Sequence, residues 1–176
     1  MGNLVVGNYD LVDKPESASA FIYDIRTETM TQLTLGPLTT AYGIWQNEGD
    51  ASEHYTIVGG YKGDSEINIG FVLDYDAKSK KISNKTTYNY NNTPGVNTHF
   101  EGITAVKGGY NLAATGASFA SIAREADGSF GKAEWLPVSY PDSKETTGNT
   151  VIDNNIMGIF ISDSGVQSYI ATLSLD

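Results

Sequence analysis

Residues 19–46 read SAFIYDIRTETMTQLTLGPLTTAYGIWQ. Four short apolar runs lie within these residues, and Thr and Gly separate them. β-Branched and aromatic residues fill the runs, as pleated strands favour. None of them is long enough for a capped amphipathic helix, which needs an apolar stripe at i, i+3, i+4 and i+7. The stretch therefore predicts consecutive short strands, and its fold depends on whether it occurs once or repeats.

It repeats. Asn3–Asp10 (NLVVGNYD), Tyr55–Lys62 (YTIVGGYK), Tyr110–Ala117 (YNLAATGA) and Gln167–Ser174 (QSYIATLS) are versions of one element. A second element follows as Ala20–Arg26 (AFIYDIR), Gly70–Asp76 (GFVLDYD) and Ser121–Asp127 (SIAREAD). A later element carries the pairs Gly43-Ile44, Gly102-Ile103 and Gly158-Ile159. Gly7, Gly59 and Gly116 are 52 and 57 residues apart, and the Gly-Ile pairs 59 and 56. Two separate landmarks thus share a period of about 50–60 residues, which is a repeat architecture. Turn-forming clusters such as Lys107–Tyr110 (KGGY) and Ser162–Gly165 (SDSG) join the runs as hairpins.

The expected fold is all-β and antiparallel, with three four-stranded units at about 3–54, 55–109 and 110–176 in a single domain spanning residues 1–176. Its form is propeller-like or another threefold β solid. Three blades leave a ring open, so two chains completing one ring is one solution, which makes a homo-oligomer a candidate partner state. The alternative is a single closed meander barrel with an internal pocket.

The same residues resemble the extracellular HAF-type repeats of bacterial proteins. The resemblance rests on Ala20-Phe21-Ile22-Tyr23-Asp24, on Met30-Thr31-Gln32-Leu33 through Gly36, on Ala41-Tyr42-Gly43-Ile44 and on Ile57-Val58-Gly59-Gly60-Tyr61. It is clear over residues 19–61 and weak beyond 105. The family's short hairpin after its Gly-Ile element is here replaced by the longer, acidic WQNEGDASEH at Trp45–His54. The resemblance implies a secreted or surface-exposed bacterial β-repeat domain, extracellular or periplasmic.

Charge and composition narrow the function. The net charge is −10 and the isoelectric point about 4.5. A nucleic-acid partner requires a basic footprint, which this chain lacks. There is no cysteine, which excludes disulfides, thiolate chemistry and cysteine-ligated zinc. No apolar run reaches the length of a membrane span. MGNLVVGNYD lacks the basic and apolar regions of a signal peptide.

No nucleophile elbow, zinc-protease helix motif or phosphate loop is present. The strongest acid–base candidate is His99 with Glu101, two apart and so on one face of a strand. Thr86–Phe100 (TTYNYNNTPGVNTHF) is Asn- and Tyr-rich, the composition of an adaptable recognition loop. Together with the aromatic Trp45 outside the repeat, it nominates Tyr88, Tyr90, Asn91, Asn92, His99 and Glu101 as ligand-binding residues. Asp24, Asp74 and Glu125 recur once per unit. Such acids either cap turns or form a carboxylate ring, for which Ca²⁺ is the fitting cation; no other cofactor is expected. The function these features predict is a non-enzymatic binding module that recognises a glycan or protein through its loops. The alternative is a β-barrel enzyme or small-molecule carrier.

Overall fold

The computed structural model describes residues 2–49, 51–63 and 66–174, except for the side chains of Pro15 and Glu16. The chain folds into four antiparallel sheets arranged in sequence order. Sheet 1 holds β1 (Leu4–Leu11), β2 (Lys14–Asp24) and β3 (Thr29–Leu33). Sheet 2 holds β4 (Thr40–Gln46), β5 (His54–Lys62), β6 (Asn68–Asp76) and β7 (Lys81–Tyr88). Sheet 3 holds β8 (Phe100–Val106), β9 (Gly109–Ala114), β10 (Ser118–Arg124) and β11 (Phe130–Pro137). In sheet 4, β12 (Glu145–Thr146) and β13 (Thr150–Ile152) form one broken strand along β14 (Asn155–Ser162), and β15 (Gly165–Thr172) pairs with the other edge of β14. Among the described residues the helical content is one 3-10 turn, Tyr90–Asn92.

The all-β, antiparallel, repeating fold is as expected. The closed meander barrel does not form, because hydrogen bonding stops at the edge of each sheet and restarts in the next. Apolar faces hold the sheets together in three successive layers. Leu4, Ile22 and Leu33 of sheet 1 meet Tyr55, Ile57, Phe71 and Leu73 of sheet 2. The other face of sheet 2, with Val58 and Val72, meets Leu112, Ala120 and Ile122 of sheet 3. Ala113 and Phe119 on the far face of sheet 3 meet Ile156, Phe160 and Tyr169 of sheet 4. Each central sheet is thus buried on both faces, which is why β5 and β6 read as continuous apolar runs, with burial BBBB at Tyr55–Val58 and Gly70–Leu73. The glycines of the first two Gly-Ile pairs let neighbouring sheets approach. A Cβ at Gly43 would lie 3.1 Å from Ile103, and one at Gly102 would lie 2.9 Å from the Thr150 backbone.

The sequence units and the sheets are out of phase by one strand. Each Gly-Ile strand, β4 and β8, opens the next sheet rather than closing its own. The third landmark departs further. Gly158-Ile159 lies in β14, whose counterparts are β5 and β9, and the strand matching β4 and β8 is the broken β12–β13. Register shows why: Gly158 faces the Thr147 carbonyl as Gly59 faces that of Thr40, at a place where a Cβ has no room. Likewise Gly116 sits in a turn at φ +73°, and Ala114 takes the place of Gly59 in sheet 3.

Candidate functional site

The seam between sheets 2 and 3 opens at one end into a cleft of about 540 Å³, within the range of small-molecule sites. Its polar centre is Asp74, near the end of β6. Arg124 of β10 reaches across the seam and holds it with two hydrogen bonds, at 3.1 and 2.5 Å. The guanidinium also lies 4.4 Å from the centre of the Phe130 ring, which fixes its plane. Asn84 of β7 donates to Asp74 at 2.7 Å. It is delivered by a register shift opposite Val72–Asp74 and a left-handed backbone at φ +47°, which asparagine tolerates. Thr56 of β5 donates to Asp74 at 3.1 Å.

A second group of polar side chains continues from Thr56. The Tyr110 hydroxyl donates to Asn47 Oδ1 at 2.7 Å, and Asn47 Nδ2 donates to Thr56 at 2.9 Å. Burial raises the Tyr110 phenol above the ordinary tyrosine value, partly offset by the Thr56 hydrogen bond. Glu48, His54, Asp76 and Ser83 complete the cleft wall. His54 Nδ1 lies 3.7 Å from Asp76, whose carboxyl is held below its usual range by hydrogen bonds from Ser79. The cleft therefore offers carboxylate, amide, hydroxyl, guanidinium and aromatic groups on a rigid floor.

Asp74 is the residue of the cleft that recurs once per unit, and sequence reasoning nominated it for a metal; Glu48 and His54 come from the acidic stretch Trp45–His54. Asp24 lies in sheet 1 and pairs with Arg26 at 3.2 Å, and Arg26 also holds Glu53 of the acidic insert at 2.6 Å. These bonds to Arg26 keep both carboxyls below their usual range. Glu125 lies beyond β10, where its backbone closes the turn to Ser129. The three acids thus sit in separate networks, and among the described residues no group of three His, Cys, Asp or Glu is placed to hold a metal ion.

His99 and Glu101 do converge, at the opposite end of β5 from the cleft. His99 Nδ1 lies 3.2 Å from Glu101 Oε1, and Nε2 lies 2.7 Å from the Thr40 hydroxyl. Tyr42 packs edge-on against the imidazole at 4.6 Å. Tyr42 and Glu101 occupy the same position, the bulged residue of β4 and of β8. Both nitrogens of His99 have partners, so the ring ties sheet 2 to sheet 3.

The remaining nominated residues are largely spent on packing. Tyr88 is buried and donates to the Gly131 carbonyl at 2.9 Å. Tyr90 packs edge-on against Trp135 at 5.2 Å. Asn92 donates to the Ala133 carbonyl at 3.2 Å. Trp45 packs against the core between sheets 2 and 3. Asn91 is exposed in the 3-10 turn with a left-handed backbone. The loop thus fastens the outer end of sheet 2 to β11. Sequence reasoning missed Arg124, Tyr110 and Asn47, although Arg124 adjoins the nominated Glu125 and Asn47 lies in the acidic stretch Trp45–His54.

This geometry defines a four-sheet, β-propeller-like protein with a polar inter-sheet cleft. No family model and no curated protein matches its sequence. Among solved structures it is similar to a protein of Bacteroides fragilis described as "a putative 6-phosphogluconolactonase", with a TM-score of 0.54 and 12% identity. The match covers 94% of this chain and 47% of that one, so the chain spans about half the length of its structural neighbour. At that identity the likeness is one of fold.

Proposed function

We propose that this protein is a binding module for a polyhydroxylated ligand, a glycan, held in the cleft between sheets 2 and 3. The observation that carries the reading is the Asp74–Arg124 pair flanked by Asn84, Asn47 and Tyr110. Sugar hydroxyls both donate and accept; Asp74 already takes four donated bonds, so the remaining N–H groups of Arg124 and Asn84 are the ones that meet a sugar oxygen. An aromatic edge beside such groups packs the apolar face of a sugar ring. His99 and Glu101 lie at the other end of the seam and do not line this cleft. The likeness to HAF-type repeats supports a secreted or surface setting, where glycans are the abundant ligands.

The test is a glycan array followed by calorimetry on the hits. A specific hit is expected, and Arg124→Met is expected to weaken it by at least ~10-fold, the value of one charge-assisted contact. If no carbohydrate shifts the amide resonances around Tyr110 and Arg124 at millimolar concentration, the reading fails.

A further inference from the structure

At the opposite end of β5 from the cleft, three side chains that glycan binding does not use stand in line. The Thr40 hydroxyl lies 2.7 Å from His99 Nε2, and His99 Nδ1 lies 3.2 Å from Glu101 Oε1. They come from three places in the fold. Thr40 opens β4, His99 ends the loop before β8, and Glu101 is the bulged residue of β8. A bulge re-aims a side chain, and this one brings the carboxylate to the imidazole. Gly60 pairs with Thr40, and a Cβ on it would come within 2.6 Å of the His99 ring. A bulge and a glycine thus both make room for one imidazole in one orientation.

The carboxylate decides the tautomer. A negative oxygen beside Nδ1 holds the ring proton there, so Nε2 of the neutral ring is an acceptor facing a hydroxyl. Thr40 Oγ1 has one proton and two acceptors in reach, His99 Nε2 and the Gly60 carbonyl at 3.2 Å. It donates to the neutral ring. Once the ring is protonated, Nε2–H donates to Oγ1 and the hydroxyl proton turns to Gly60. Hydroxyl, imidazole and carboxylate in this order activate an oxygen nucleophile. The cluster is open to solvent: the His99 and Glu101 side chains are 15% and 22% exposed, and Tyr42, edge-on to the ring, is 48% exposed.

We propose that Thr40 and His99, positioned by Glu101, form an esterase site for small neutral acyl esters. Thr40 Oγ1 attacks the ester carbonyl carbon while His99 Nε2 takes the hydroxyl proton. An O–C bond forms to Thr40, the bond from that carbon to the alcohol oxygen breaks, and the proton passes from Nε2 to the departing oxygen. Water then attacks the Thr40 ester. His99 takes a proton from the water and returns it to Oγ1, and a carboxylic acid leaves. Glu101 touches no reacting atom; it holds the ring and stabilises the imidazolium. The methyl group of threonine crowds its own oxygen, which selects small acyl groups. Partial burial and then the charges of Glu101 and Asp10 raise the Tyr42 phenol above the ordinary tyrosine value, so the entrance is negative and disfavours anionic esters.

Hydrolysis of p-nitrophenyl acetate tests the proposal. The wild-type protein should release p-nitrophenol at least ~10-fold faster than Thr40→Val, which keeps the shape and loses the hydroxyl. Peptide mass spectrometry of acid-quenched protein should find the acetyl group on Thr40. Thr40→Ser keeps the oxygen and should keep the activity. Glu101→Gln should lower kcat at least ~10-fold and leave KM unchanged, a split that a purely structural role would not produce. Acidification that protonates His99 should stop the reaction, Glu101 and Tyr42 being the ionisable groups against the ring. His54→Ala, in the distant cleft, should change nothing. Circular dichroism should show every variant folded. Equal rates in wild type and Thr40→Val overturn the proposal, as does an acetyl group found only on other residues. Thr40→Ser as slow as Thr40→Val overturns it too, because the role of Thr40 would then be packing.

Discussion

Asp74 accepts hydrogen bonds from Arg124, Asn84 and Thr56, which lie on three different strands. Its carboxylate and the Arg124 guanidinium are 15% and 29% exposed, so solvent screens the pair only in part. Asp74→Ala leaves the cation half-buried and unpaired, and should cost about 1–3 kcal/mol in urea unfolding. Arg124→Met keeps the stacking on Phe130 and leaves Asp74 with two neutral donors, so it should cost less. The double variant should fall short of the sum by ~1 kcal/mol; additive losses would mean that the pair is not coupled. Asp74 stood out in the sequence because it recurs, but its role did not. Its partner is 50 residues away on a strand of another sheet, and spacing along one chain carries no record of that meeting.

At the scale of elements, the bulges at Tyr42 in β4 and Glu101 in β8 bend the two strands that line the seams on either side of sheet 2 and sheet 3. Opposite the first bulge, a Cβ on Gly59 would be driven into the Thr40 carbonyl. Sheet 3 accommodates one methyl at the matching place, Ala114, so the substitution that tests the clash is Gly59→Val. It should destabilise by about 2–4 kcal/mol through forced backbone movement. Gly49→Ala, with open space around it but a left-handed φ of +89°, should cost only about 1 kcal/mol. Equal losses in thermal unfolding would show that backbone conformation, and not crowding, selects glycine in both. The strands themselves were legible, since β1, β2, β4, β5, β6 and β9 overlap the quoted runs and β8 carries the second Gly-Ile pair. Their grouping into sheets was not, because a repeat read from sequence has a period but no origin. Any cyclic shift of four strands gives the same periodicity.

For the whole molecule, burial raises the phenols of Tyr55, Tyr75, Tyr88, Tyr110 and Tyr169 above the ordinary value, Tyr88 well above it. An unfolded tyrosine releases its proton near pH ~10. Above that pH the native state retains protons that the unfolded state has lost, so stability is full below it and falls as pH rises toward the folded values. Phenolate absorbance should therefore rise in two stages, exposed tyrosines first and these five together with the loss of circular dichroism. A single early rise of all 11 tyrosines, before unfolding, would contradict the packed seams. The amino-acid sequence by itself determined strand content and the repeating period. These follow from local alternation, β-branched and aromatic content and turn residues, which act over a few residues. The tertiary structure alone decided where each sheet begins, that Tyr88, Tyr90 and Asn92 fasten sheets together, and that Asp74 meets Arg124 and Tyr110 in a cleft. Those outcomes depend on which faces pack against each other, and face-to-face packing joins residues 41 to 63 positions apart that share no local pattern.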